Sequence, residues 1–146
     1  MLKIKHFGEL TTDELYRILQ VREEIFVLEQ KCFYQDLDDI DCVSLHVFEE
    51  DNGVIGGYLR AYQKDEKTVQ IGRVLIRQRG MGRGKKLMEN GIAAVRERMK
   101  PEKICIEAQE HAIGFYEKLG FRVASDVFMD AGIPHVAMEL EGFEKA

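Results

Sequence analysis

The sequence predicts an α/β fold, a central mixed sheet of about six to seven strands flanked by about four helices. Three observations point there. Apolar residues switch repeatedly between period two and helical spacing along 146 residues. Asn52-Gly53 lies between two apolar runs, a strong hairpin signal. An apolar strand, Val69 to Ile76, passes through Arg79-Gly80-Met81-Gly82-Arg83-Gly84 directly into an amphipathic helix.

Residues 2–7 alternate as a first strand. Thr11-Thr12-Asp13-Glu14 has capping-box spacing, with Thr11 as N-cap and Glu14 at the third helical position. Leu15, Ile18, Leu19, Arg22, Ile25 and Phe26 then repeat at helical spacing, which predicts a helix to about residue 26. Val27 to Cys42 is irregular, with room for a short helix and an acidic run from Asp36 to Asp41. Such a run reads first as a solvated loop; the sharper reading is a substrate-facing loop that attracts a cationic amine.

Val43–Phe48 and Val54–Tyr62 form the predicted hairpin, and Gly56-Gly57 marks a bulge or close packing. Gln63–Lys67 is a polar turn into the strand at Thr68–Ile76, antiparallel to its predecessor. The helix after the glycines carries Leu87, Met88, Ile92, Val95 and Met99 on one side, and Pro101 ends it. Ile104–Ile106 is a short buried strand, parallel to the one before by a right-handed crossover. A helix over Ala112–Leu119 stops at Gly120. Strands at Phe121–Ala124 and Val136–Leu140 follow, with Asp130-Ala131-Gly132 turning between them. No linker, repeat or low-complexity segment divides residues 1–146, which are expected to form a single domain.

Composition excludes several classes. No apolar run is long enough to span a bilayer, and Met1–Leu10 lacks the apolar core of a secretory signal, so no membrane partner and a cytoplasmic location are expected. Cys32, Cys42 and Cys105 are odd in number and form no CxxC, so free thiols and no metal are expected. A net charge of -5 argues against nucleic acid as a partner. Within that acidic chain, Arg73, Arg77, Arg79, Arg83, Lys85 and Lys86 form a stretch of six cations without an acid.

Glycines that expose backbone N–H groups, followed by a helix N-terminus and flanked by cations, make an anion site suited to phosphate. The loop is neither a Walker motif nor a dinucleotide fingerprint: Lys86 stands where Ser or Thr is needed, and Gly80-x-Gly82-x-Gly84 breaks GxGxxG. What remains, Arg79-x-x-Gly82-x-Gly84 between strand and helix, resembles the pyrophosphate loop of the GNAT acyltransferases. Gln109-x-x-Ala112-x-x-Phe115-Tyr116-Glu117-Lys118-Leu119-Gly120-Phe121 is similar to that superfamily's C-terminal signature. Arg22-Glu23-Glu24-Ile25-Phe26-Val27-Leu28-Glu29-Gln30 with Cys32, Tyr34, Leu37, Asp38 and Asp41, and the Asp130–His135 segment followed by Met138, look like the ElaA-type branch. The match at Ala131, where the branch carries a second acid, is partial.

The resemblance implies an acetyl-CoA-dependent N-acetyltransferase: an acetyl group passes from acetyl-CoA to a primary amine by direct attack in a ternary complex, with no metal. It assigns Arg79, Gly80, Met81, Gly82, Arg83, Gly84 and Lys85, with Lys86 as a further cation, to the pyrophosphate or 3′-phosphate, and it lays the pantetheine arm between a fourth and a fifth strand that splay apart, with Val74, Leu75 and Ile76 as its main-chain partners. Gln109 and Phe115 also fall to the CoA site, Gln109 standing where many relatives carry Asn. Tyr116 becomes the acid that protonates the leaving thiolate. The base is open among Glu29, Glu107, His46 and His135, with Glu29 and Glu107 foremost. The acceptor, a small-molecule or peptide amine, is not specified. The family also includes homodimers. Rival readings are transfer of another acyl group, a catalytically weak CoA-binding regulatory module, and a nucleic-acid binder using the basic stretch.

Overall fold

The computed structural model describes residues 1–141. Strand β1 (Leu2–His6) leads through a 3-10 turn into α1 (Thr12–Arg22), which continues as a π-helical segment, Glu23–Glu29. The capping box forms as its spacing requires: Glu14 N–H donates to Thr11 Oγ1 at 3.0 Å and Thr11 N–H to Glu14 Oε1 at 2.9 Å. The helix thus runs past residue 26, but with wider turns over its last third. An irregular stretch and a 3-10 turn at Ile40–Val43 follow. Val43 is therefore not in a strand; β2 begins two residues later.

Strands β2 (Leu45–Asp51), β3 (Val54–Gln63) and β4 (Thr68–Ile76) form an antiparallel meander. Helix α2 (Arg83–Arg98) crosses over to β5 (Lys103–Gln109), which lies parallel to β4. A 3-10 turn at Glu110–Ala112 and a short α3 (Ile113–Glu117) precede β6 (Arg122–Val123), β7 (Phe128–Asp130) and β8 (Ile133–Leu140). The sheet order is β1-β2-β3-β4-β5-β8-β6, with β7 also paired to β8. The eight strands exceed the expected number because residues 128–130 pair where only a turn was expected. The three α-helices fall short of four because the stretch after α1 is a π extension rather than a separate helix.

Period-two alternation divides the core between the two faces. Val47, Leu59 and Ile71 pack with Leu87, Met88 and Val95 of α2, while their neighbours Phe48 and Tyr58 pack with Ile18, Val21 and Ile25 on the α1 side. Gly91 on α2 is held close to the sheet: a Cβ there would come within 2.6 Å of Leu59 Cδ2. The absence of that side chain sets how closely the glycine-capped helix lies on β3, and so where its N-terminus opens. No described helix is long and apolar enough to cross a membrane.

Candidate active site

The glycine loop takes the backbone conformation that its composition allows. Gly80, Met81 and Gly82 all have positive φ (90°, 58° and 69°), and Gly82 is the N-cap of α2. The first α2 hydrogen bond joins Lys86 N–H to Gly82 O at 3.1 Å, so the N–H groups of the residues between them have no intrahelical acceptor. A Cβ at Gly80 or Gly82 would meet nothing within 4 Å, which leaves space for a ligand against the backbone. Gly84 is more enclosed: its Cβ position lies 3.4 Å from the Phe115 ring and 3.8 Å from Ile76. The partly exposed Phe115 and the half-buried Ile76 thus wall the loop.

The six-cation stretch does not act as one patch. Arg77 Nη1 donates to Glu24 Oε2 at 3.0 Å. Arg73 Nη2 donates to the Asp36 carbonyl at 3.1 Å and to Asp38 Oδ2 at 3.3 Å. Among the described residues, Arg79, Arg83, Lys85 and Lys86 have no ion-pair partner, and all surround the loop. The anion site therefore keeps four of the six charges.

Beyond the loop, the sheet opens. The β4–β5 ladder holds only from Thr68↔Lys103 to Gln70↔Cys105. From there β4 continues along β3 to Ile76, while β5 continues along β8 to Gln109. Between Gly72 and Leu75, β4 has one more residue than the facing segment of β3, and Arg73 there has φ 52°. Such a bulge bends its strand, and it falls directly after the last β5 pair. The β5-facing main chain of β4 beyond Gln70 is left without a strand partner. A cleft of about 370 Å³ fills the gap.

Tyr116, Glu107, Gln109, Val74 and Arg79 of the expected site all line this cleft, as does His135. The Tyr116 ring meets Phe115 and Phe121 edge-on, with centroids 5.0 and 5.9 Å away. Burial pushes its hydroxyl up to about 12, so it is protonated at neutral pH. No described group hydrogen-bonds that hydroxyl. Gln109 Oε1 accepts from His111 Nε2 at 2.8 Å. The Leu75 side chain points to the opposite face, into the α1-side core, away from the cleft.

Two candidate bases lie elsewhere. Glu29 ends the π segment exposed and outside the cleft, which its neighbour Gln30 lines instead. His46 is fully buried with both nitrogens engaged. Its Nε2 lies 2.9 Å from the Asp41 carbonyl, which can only accept, so Nε2 carries the proton; Nδ1 then accepts from Tyr58 hydroxyl at 2.7 Å. Burial lowers the affinity of this ring for a second proton. His46 is a structural residue.

Three of the four carboxylates of the acidic run, those of Asp36, Asp38 and Asp41, are taken up in ion pairs instead of being solvated, Asp39 alone being exposed, and none of the four lines the cleft. Arg22, fully buried, donates through Nε to Asp36 Oδ2 at 3.0 Å and through Nη1 to Asp41 Oδ1 at 2.7 Å. Arg60 reaches Asp38 Oδ2 at 2.7 Å and Asp41 Oδ1 at 3.0 Å. Arg73 Nε lies 2.8 Å from Asp36 Oδ1 but off its N–H direction, so that contact is charge only. Three guanidiniums meet three carboxylates. The Arg60 side chain holds the Asp38 carboxyl down at about 2, against a smaller opposing effect of burial. Tyr34 adds to the cluster, its hydroxyl 3.1 Å from Asp36 Oδ1 and its ring 5.4 Å from the Arg73 guanidinium. The cluster pins residues 30–44 across the cleft, where Gln30, Cys32 and Tyr34 form one wall.

Those three enter the sequence reading only through the branch resemblance, without a role, and Tyr62 and Gln70, which also line the cleft, have no role in it. A usable signal existed for the last two: they pair across β3 and β4 and are polar beside the buried apolar Ala61, Val69 and Ile71.

Residues 13–142 match the family model described as the acetyltransferase (GNAT) domain. The protein ElaA of Escherichia coli is 33% identical over 142 residues, covering 93% of each chain. Its crystal structure superimposes with a TM-score of 0.92 over 97% of this chain and 99% of that one. A Schizosaccharomyces pombe protein is 37% identical over 141 residues, 94% of each. The crystal structure of an acyl-CoA N-acyltransferase from Pseudomonas aeruginosa, 36% identical, gives a TM-score of 0.91, covering 96% of this chain and 98% of that one.

Proposed function

The chain belongs to the GNAT acetyltransferase family, with ElaA-like relatives, and from that membership we propose that it moves an acetyl group from acetyl-CoA to a primary amine by direct attack. The parting of β4 from β5 beside the glycine loop carries this reading. It offers an elongated slot with N–H donors and cations at one end and a protonated phenol along it. The acyl-CoA N-acyltransferase from Pseudomonas aeruginosa, similar over nearly its whole length, supports the CoA thioester as donor.

The residues present fit such a donor. The Gly80–Lys85 main chain and α2 N-terminus face open space and attract phosphate oxygens. Arg79, Arg83, Lys85 and Lys86 add charge-assisted bonds. The β5-facing main chain of β4 at Val74–Ile76, which has no strand partner on that side, supplies amide partners for an extended arm, and one N–H there would polarise the thioester carbonyl. Bound acetyl-CoA supplies the activated acyl carbon. Tyr116 donates its proton to the departing sulfur and regains one from the nitrogen as the tetrahedral adduct collapses to amide. Without that return, a phenol raised to about 12 would be a poor donor to a thiolate.

Tyr116→Phe tests the assignment. It keeps the ring packing against Phe115 and Phe121 and removes only the hydroxyl. Calorimetric titration is expected to give unchanged acetyl-CoA affinity, while kcat falls by about 10²-fold. An unchanged kcat would remove Tyr116 from the chemistry.

A further inference from the structure

We propose that His135 is the general base, taking the acceptor's ammonium proton on Nε2. This rests on the transfer reading above and names the residue that prepares the nucleophile. His135 is on β8 directly opposite Gln109 of β5 and Phe128 of β7. Directly opposed residues share one face of a sheet, so the imidazole stands beside Gln109, on the face that also carries Glu107 two residues earlier. It lines the cleft together with Tyr116, yet only 9% of its surface is exposed.

Two contacts fix the ring. Phe128 stacks on it with centroids 6.1 Å apart and planes 22° from parallel. Its Nδ1 lies 2.7 Å from the Ile133 carbonyl oxygen. A carbonyl can only accept, so Nδ1 carries the proton and, in the neutral ring, Nε2 presents a lone pair. Among the described residues Nε2 has no hydrogen-bond partner. His46 in this chain has the opposite arrangement, both nitrogens bonded and none free. His111 is exposed and joined to Gln109. Glu107 lines the cleft, but carboxylates as a class are weaker bases toward ammonium than imidazole.

The proton count closes. Nε2 removes one proton from R–NH3⁺, and the free amine attacks the acyl carbon to form the C–N bond. The C–S bond breaks, the thiolate takes the Tyr116 proton, and the adduct's surplus N–H proton refills Tyr116. The imidazolium discharges to solvent, giving one net proton per turnover. The titratable and charged groups sharing the cleft with His135 are Glu107, Tyr116, Tyr62, His111, Asp130, Cys32, Tyr34 and Arg79. Arg60 and Arg73 are already matched by Asp36, Asp38 and Asp41.

The test is the pH dependence of kcat/KM for an accepted amine in wild type, His135→Asn, His135→Gln and Glu107→Gln. Asn keeps an N–H near Nδ1 for Ile133; Gln occupies the Nε2 end; neither has a basic lone pair. With acetyl-CoA affinity retained, both His135 variants are expected to lose about 10²-fold in kcat/KM. They also lose the acid limb set by an imidazole, and their rate climbs with pH as free amine accumulates. Wild-type rates and an intact acid limb in both variants would overturn the proposal, as would loss of that limb in Glu107→Gln alone. A wild type that binds acetyl-CoA but acetylates no amine would instead overturn the transfer reading, and this proposal with it.

Discussion

Asp41→Asn is the most informative perturbation of the scaffold that carries the cleft wall formed by Gln30, Cys32 and Tyr34. Asp41 Oδ1 accepts from Arg22 Nη1 at 2.7 Å and from Arg60 Nη1 at 3.0 Å, and the residue is 6% exposed. Burial opposes its ionisation, yet Arg22 and Arg60 together hold its carboxyl below the ordinary range. The substitution preserves shape and an acceptor oxygen but leaves three guanidiniums with two carboxylates. Removing one member of a buried ion pair costs about 3–5 kcal/mol. Because the amide oxygen still accepts, the lower end applies, about 3 kcal/mol. At roughly 3 °C per kcal/mol for a chain of this size, Tm should fall by about 10 °C. Urea unfolding measures the same loss as a lower midpoint at constant slope. Asp39→Asn is the control: Asp39 is exposed with φ 68°, a conformation Asn accepts readily, so its effect should stay within about 0.5 kcal/mol. Equal, small effects at the two positions would refute the reasoning and return the acidic run to a solvated loop.

Two further outcomes follow from other parts of the molecule. Burial raises the Glu14 carboxyl, but the Thr11 N–H and the Lys3 and Lys5 ammonium groups outweigh it and hold it down at about 2. The folded chain thus gives up this proton more readily than the unfolded one; the resulting stability is present above pH 4.5 and is lost as pH falls toward 2. Glu14→Gln should lower stability at neutral pH and flatten that part of the acid-unfolding curve, read by circular dichroism at graded pH, leaving the parallel contribution of Asp38. Gly82→Asp places a carboxylate at the N-cap of α2, in the open space beside the loop. Calorimetry should show acetyl-CoA affinity lower by at least tenfold, about 1.4 kcal/mol, with the deficit shrinking as salt rises.

The sheet, the capping box and the glycine loop were legible because each is a local pattern. Thr11 and Glu14 are three residues apart, and Gly80 to Gly84 are contiguous. Tyr116 was legible through resemblance, not through spacing. The acidic run was misread for a physical reason: its partners Arg22, Arg60 and Arg73 lie on three separate elements, and no local rule brings them together. The opening of the cleft was legible through resemblance and not through periodicity, because Arg73's left-handed bulge has no distinctive composition. The tautomers that separate His46 from His135 depend on which carbonyl each ring meets, and only the folded chain provides that contact.

Acetyl transfer itself is read by mass spectrometry of an amine panel incubated with the protein and acetyl-CoA, with released thiol measured in parallel. At least one amine should gain an acetyl group in step with free CoA thiol, at a rate that falls about 10²-fold in Tyr116→Phe. Tight acetyl-CoA binding with no acetylated product from any amine would contradict acetyl transfer, and would leave a chain that holds the donor without using it.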